Sequence, residues 1–266
     1  MLSINGPMLK TSFNNRFYVR VLLLNVFVYS LNICYSQPDS LKKYTYLVYC
    51  KTSTNHKLFG AGFFIKIPEG LFFLTANHLA AQTPCNKLNV VLDKKIGSHY
   101  SIDISKIPKQ QHTSAFGEKD LLIYKIVDKK FSKVNSVEKL LPDFKNLEVN
   151  KIKNIVYYGF PEVDNESDFD FIKTFPTLVM SEDTLIGSYN YIRYSNTLSK
   201  YDSINYLSGS INGTFSGEGD SGAPVFFKIQ NQYFFGGMCK AGVGSLKIAY
   251  IMRPEKILEE IKKIMK

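Results

Sequence analysis

All four histidines, at positions 56, 78, 99 and 112, precede the serine at position 221. A serine becomes a nucleophile only with a base beside it, and catalytic plans differ in the chain order of the two. Plans in which the base follows a serine on a Gly-X-Ser-X-Gly elbow are excluded. No His follows Ser221, and Gly219-Asp220-Ser221-Gly222-Ala223 lacks the second elbow glycine. The order His, Asp, Ser survives, and with it acyl transfer.

Ser221 lies in Gly217-Glu218-Gly219-Asp220-Ser221-Gly222-Ala223-Pro224, directly before the apolar run 225–229. An oxyanion hole needs backbone N–H groups turned toward one point. A tight turn of glycines can aim the amides of Gly219 and Ser221 that way, because Gly adopts dihedrals closed to other residues. A glycine-rich hairpin loop with an incidental serine would carry the same letters. His78 ends Leu71-Phe72-Phe73-Leu74-Thr75-Ala76-Asn77-His78, so an apolar strand delivers it to a loop edge. Asp120 precedes Leu121-Leu122-Ile123-Tyr124. A carboxylate at the mouth of such a strand can accept a hydrogen bond from a His ring, fix its tautomer and stabilise the imidazolium. His56, His99 and His112 sit in polar, turn-like stretches and are weaker candidates.

The elements that must hold these groups are short strands. Apolar and aromatic runs cover 44–50, 60–67, 71–75, 88–92, 121–127, 155–159, 177–180, a Tyr-rich stretch 189–206, 223–229, 233–240 and 247–251, with turn residues between them. Such spacing points to β-barrels or a sandwich. One helix is expected at the end, over 254–265. Pro254 suits its first position, and Ile257, Leu258, Ile261, Ile264 and Met265 recur at helical spacing. The polar stretch 129–151 reads as a connection between two halves.

The N-terminus reads as a targeting segment. Lys10, Arg16 and Arg20 form a basic region without acids, and 21–34 is mostly apolar but short for a membrane span. A signal peptide over 1–36 is expected, with cleavage before Gln37 and a secreted or periplasmic destination. No membrane association is expected after cleavage; an uncleaved anchor is the alternative. Removing 1–36 lowers the net charge from +10 to +7. The remaining lysines are scattered, which speaks against nucleic acid as a partner. Export leaves Cys50, Cys85 and Cys239. An oxidising compartment allows one disulfide, and Cys50 with Cys85 is the expected pair because both lie in the N-terminal half. Cysteine spacing gives no zinc signature, and the acids of 164–170 lack the Gly and distal Glu of a calcium loop, so no metal or cofactor is expected.

Taken together, Gly60-Ala61-Gly62-Phe63-Phe64-Ile65, Leu74-Thr75-Ala76-Asn77-His78-Leu79, Lys119-Asp120-Leu121-Leu122-Ile123-Tyr124 and Gly219-Asp220-Ser221-Gly222-Ala223-Pro224 resemble the trypsin-like serine peptidases. The bacterial short forms, including the peptidase domain of HtrA proteins, are the nearest in kind. Gly159-Phe160-Pro161 is similar to their second-barrel turn, and Tyr250-Ile251-Met252 before Pro254 to their closing strand and helix. The islands of resemblance span about 44–264.

The resemblance implies an all-β fold of two six-stranded antiparallel β-barrels with a C-terminal α-helix. Barrel one would cover about 41–150 and barrel two about 151–252, within a peptidase domain 37–266. His78 and Asp120 would come from the first barrel and Ser221 from the second, acting as base, orienter and nucleophile on a protein or peptide substrate. Phe215 would lie at the floor of the pocket for the first substrate side chain, with Met238 and Cys239 lining it. Phe215 does not support a preference for Arg or Lys, and Lys240 or Glu218 could modify the pocket's charge. No zymogen cut site stands in the chain, so Asp220 needs a partner other than a new N-terminus. The rival readings are a catalytically silent two-barrel module that binds peptide or protein, and an ester hydrolase on the same triad.

Overall fold

The computed structural model describes residues 38–51, 57–81, 87–93, 98–103, 105, 120–128, 131, 133–143, 152, 154–160, 179–187, 206–210, 219–230, 232–243 and 248–266. Two antiparallel sheets of six strands each carry the chain, and a helix closes it. The first sheet holds β1 (Tyr46–Lys51), β2 (Lys57–Ile67), β3 (Gly70–Thr75), β4 (Lys87–Asp93), β5 (Ser98–Asp103) and β6 (Leu122–Ile126) in the order β5-β4-β1-β2-β3-β6. Among the described residues no ladder joins β5 to β6. The second holds β7 (Asn154–Gly159), β8 (Val179–Gly187), β9 (Tyr206–Ser210), β10 (Pro224–Ile229), β11 (Gln232–Val243) and β12 (Ile248–Met252), and it closes into a barrel where β10 pairs β7. The residues Gln37–Lys266 form one compact unit.

The strands that serve the candidate site are apolar without alternation, and the packing gives the reason. On β3, Phe72 and Leu74 face a core shared by both sheets, while Phe73 faces the interior of the first. On β10, Phe226 joins the shared core, while Val225 and Phe227 fill the second barrel. A strand buried on both faces reads as a continuous hydrophobic run. The shared core also takes Phe63, Ile65, Leu121 and Ile123 from the first sheet and Val156, Phe235, Tyr250 and Met252 from the second. The rings of Phe63 and Phe235 meet across it at 5.2 Å. Each such side chain contributes roughly 1.5–3 kcal/mol on burial, so the two sheets are held together by a core rather than by a linker.

The closing helix, α2 (Pro254–Ile264), follows the four-residue α1 (His78–Ala81) in chain order. Pro254 occupies its first turn, and Ile257 and Ile261, one turn apart, insert into the shared core. A 3-10 helix over Pro38–Tyr44 adds Leu41 and Tyr44 to the same core. The expected polar connection contains buried anchors. Phe131 packs in the first sheet's interior, and Val137, in the 3-10 turn Val137–Leu140, reaches the shared core. The acidic stretch 164–170 lies outside the described residues.

Candidate active site

The register of the first sheet brings His78 and Asp120 together. Thr75, the last residue of β3, pairs with Leu122, the first of β6. Residues just beyond Thr75 therefore lie beside those just before Leu122. Asp120 holds His78 at two points: Oδ1 accepts the backbone N–H of His78 at 2.8 Å, and Oδ2 lies 2.6 Å from Nδ1. The carboxylate side chain is 1% exposed and the imidazole 18%, so Asp120 is sealed while the His ring keeps an open edge. A carboxylate can only accept, so Nδ1 carries the proton and Nε2 is left with a lone pair. The first turn of α1 fixes the backbone beneath, with Ala80 N–H donating to Asn77 O at 2.9 Å.

The Ser221 turn is shaped by glycines where no other residue fits. Gly219 has φ 105 and Gly222 φ 88, both in the left-handed half of the map. A Cβ on Gly222 would strike the Ala61 carbonyl oxygen, with Thr75 Oγ1 at 2.6 Å and Ala76 N at 2.9 Å. That near-contact docks the turn on the first sheet two residues before His78. Ser221 O accepts the Ala61 N–H at 2.9 Å. Gly60 is pinned between Ser221 and the residue after His78: its Cβ would lie 2.8 Å from Ser221 O and 2.6 Å from Leu79 Cδ1. On its other side the turn is tied to the second barrel. Gly222 N–H donates to Cys239 O at 2.7 Å, and Cys239 N–H to Ala223 O at 2.8 Å. Ser221 is half-buried, and among the described residues neither its N–H nor that of Gly219 donates to a backbone carbonyl.

Asp220 is buried, and its carboxylate covers Gly159, where any side chain would collide with Oδ1. Phe160 N–H donates to Gly219 O at 3.3 Å. The end of β7 at Gly159 and Phe160 is therefore the seat of the Ser221 turn, and glycine is required at 159 for space.

Phe215 lies outside the described residues. Met238 packs in the shared core and Cys239 in the second barrel's interior, both with essentially no exposed surface. Cys50 is disulfide-bonded, while Cys239 is a buried thiol; the expected partner, Cys85, lies outside the described residues. Lys240 is buried, and the charge of Asp120 is among those that act on it.

No family model matches the chain, and no curated protein does. Solved structures do. An HtrA-type protease, AlgW with tripeptide, matches with TM-score 0.53 at 16% identity over 85% of this chain. The chain spans 61% of AlgW's length. The chain has the trypsin-like serine protease fold. The serine endoprotease from Yersinia pestis matches with TM-score 0.55 at 13% identity, over 86% of this chain and 67% of that one. The Rv3671c protease from M. tuberculosis, in its active form, matches with TM-score 0.52 at 13% identity, over 85% and 82%. In this trypsin-like fold the Ser221 turn sits at the meeting of the two sheets, on the strand ends that lead to His78 and Asp120.

Proposed function

We propose that the chain is a serine endopeptidase that cleaves peptide bonds through an acyl-enzyme. The observation that carries this reading is the two-point hold of Asp120 on His78, at the edge where the Ser221 turn docks. With Nδ1–H donated to Asp120, Nε2 takes the Ser221 proton as Oγ attacks the peptide carbonyl. The amides of Gly219 and Ser221 receive the oxyanion, a contribution of about 3–4 kcal/mol per donor in comparable sites. His78 then gives the proton to the leaving amine, and water activated by the same base releases the acyl group. No cofactor enters these steps. The AlgW structure with a tripeptide supports a peptide as the substrate class, and the shared fold supports the reaction.

Incubation of the purified chain with a peptide library tests the reading. Wild type is expected to cut internal bonds, and Ser221→Ala to leave the library intact. A folded wild type that leaves every peptide whole, or a Ser221→Ala variant that cuts as well as wild type, overturns it.

Export belongs to the same proposal, carried by the basic and apolar N-terminal segment 1–36. Mass spectrometry of the protein recovered from its native host is expected to find a new N-terminus at Gln37. Recovery with 1–36 intact overturns the cleavage.

A further inference from the structure

His78 and Ser221 are carried by different sheets, so acyl transfer depends on how the two sheets meet beneath them. One contact between them runs through Ala61 on β2. Its N–H donates to Ser221 O at 2.9 Å, and its carbonyl oxygen accepts the Thr75 hydroxyl, with Oγ1 at 2.6 Å. Thr75 is the last residue of β3, pairs with Gly62 and Leu122, and is fully buried. His78 follows three residues later. Gly222, the residue after Ser221, lies over this same hydrogen bond: a Cβ there would strike Ala61 O, with Thr75 Oγ1 at 2.6 Å. The Thr side chain is β-branched, and two heavy atoms on its Cβ leave χ1 little freedom. The hydroxyl is therefore aimed by the strand that leads to His78, while the oxygen it meets belongs to the residue bonded to Ser221. Valine has the same shape and suits a strand as well, so packing alone does not call for the hydroxyl. A methyl in its place approaches an oxygen only to about 3.3 Å, against 2.6 Å for the hydroxyl, and would push Ala61 and the strand end apart by roughly 0.7 Å.

We infer that Thr75 is a positioning residue of the candidate triad: by holding the Ala61 carbonyl, its hydroxyl sets where the Ser221 turn stands relative to the strand end that carries His78. The inference rests on the peptidase reading above for its consequence in catalysis. Asp120 fixes the imidazole at two points, but that hold lies within the first sheet and leaves the approach of Ser221 unset. Thr75 supplies the missing coordinate, through Ala61 to Ser221 O and through the close seat of Gly222. Thr75 itself touches no substrate in this scheme. A small shift of the turn separates Ser221 Oγ from His78 Nε2 and slows the attack. The loss falls on kcat rather than KM, because the displaced groups are the reacting ones.

Steady-state kinetics on a peptide found by library cleavage compares Thr75→Val with Thr75→Ser. Thr75→Val should lower kcat on the order of 10²-fold, the size of loss that a misplacement of about 1 Å produces, with KM unchanged. Thr75→Ser, which keeps the donor, should recover most of that loss. Amide hydrogen exchange followed by NMR in Ser221→Ala protein reads the position without catalysis. There Thr75→Val should speed exchange at the amides of Ala61 and Gly222, while those of β7 and β10 keep the parent's rates. In the parent, the Thr75 hydroxyl proton should exchange slowly enough to be seen, with a nuclear Overhauser contact to a Gly222 α-proton. A Thr75→Val chain with wild-type kcat, a Thr75→Ser chain as slow as Thr75→Val, or faster exchange spread evenly through both sheets overturns the inference. So does a parent without the hydroxyl contact, and that observation decides alone if Thr75→Val fails to fold. A protein that cleaves nothing while its Ala61 and Gly222 amides still respond to Thr75 contradicts the peptidase reading and upholds the positioning.

Discussion

Replacing Asp120 with Asn should lower kcat by about 10⁴-fold while the fold and KM stay near wild type. The variant keeps the shape and keeps one oxygen to accept the His78 backbone N–H, now at 2.8 Å from Oδ1. It loses the second acceptor. An amide NH2 would face Nδ1, where Oδ2 now lies at 2.6 Å, and the ring would turn to the tautomer that carries its proton on Nε2. That nitrogen could no longer take the Ser221 proton. Steady-state kinetics on a peptide found by library cleavage, with circular dichroism as the check on folding, measures the effect. A loss below tenfold in a folded variant would show that Asp120 does not set the tautomer.

The second large effect is on stability, and its direction is unusual. Lys240 binds its proton to about pH 8 in the folded chain, against 10.5 for an ordinary lysine, because burial disfavours the ammonium. Between these values the unfolded chain holds a proton that the native chain has released, so stability rises with pH. Below about 8 both states are protonated and the burial cost is fully present. Above 10.5 neither is, and the relief is complete. A displacement of this size corresponds to a cost on the order of 3 kcal/mol at neutral pH. Lys240→Met should therefore be more stable than wild type at pH 7, and its advantage should shrink as pH rises to 10.5. Urea unfolding midpoints of both proteins across this range give the comparison. A Lys240→Met chain less stable than wild type at pH 7 contradicts the direction. Lys240 is thus a buried charge that weakens the fold, a break of a local rule.

The strands that carry the candidate site were largely legible in the sequence because they are buried on both faces. Continuous apolar runs marked β3, β6 and β10, and the polar residue at the mouth of each run was a catalytic candidate. The His-before-Ser order then removed the competing plan. Elements whose stability comes from pairing rather than composition were not legible. The strand β5, Ser98–Asp103, has few apolar residues and is held by its ladder with β4. The strand β8 runs through Ser181-Glu182-Asp183-Thr184, residues poorly suited to strands, because β7 and β9 pair with it on either side. The Tyr-rich strand expected over 189–206 falls mostly outside the described residues, and the strand found there is Tyr206–Ser210. The slip at Lys240, where β11 pairs β12 with Cys239 opposite Ile251 and Ala241 opposite Tyr250, has no sequence signature at all. Without it, 240 reads as a continuation of the strand and its lysine as a pocket charge.

Ser221 is the proposed nucleophile, and covalent capture reads that role directly. A fluorophosphonate reacts with an activated serine through the same attack that opens acyl transfer. After incubation with the probe, mass spectrometry of the digested protein should find the adduct on Ser221, and Ser221→Ala or His78→Ala should abolish it. A folded wild-type chain that takes no label, or takes it on another residue, contradicts the claim.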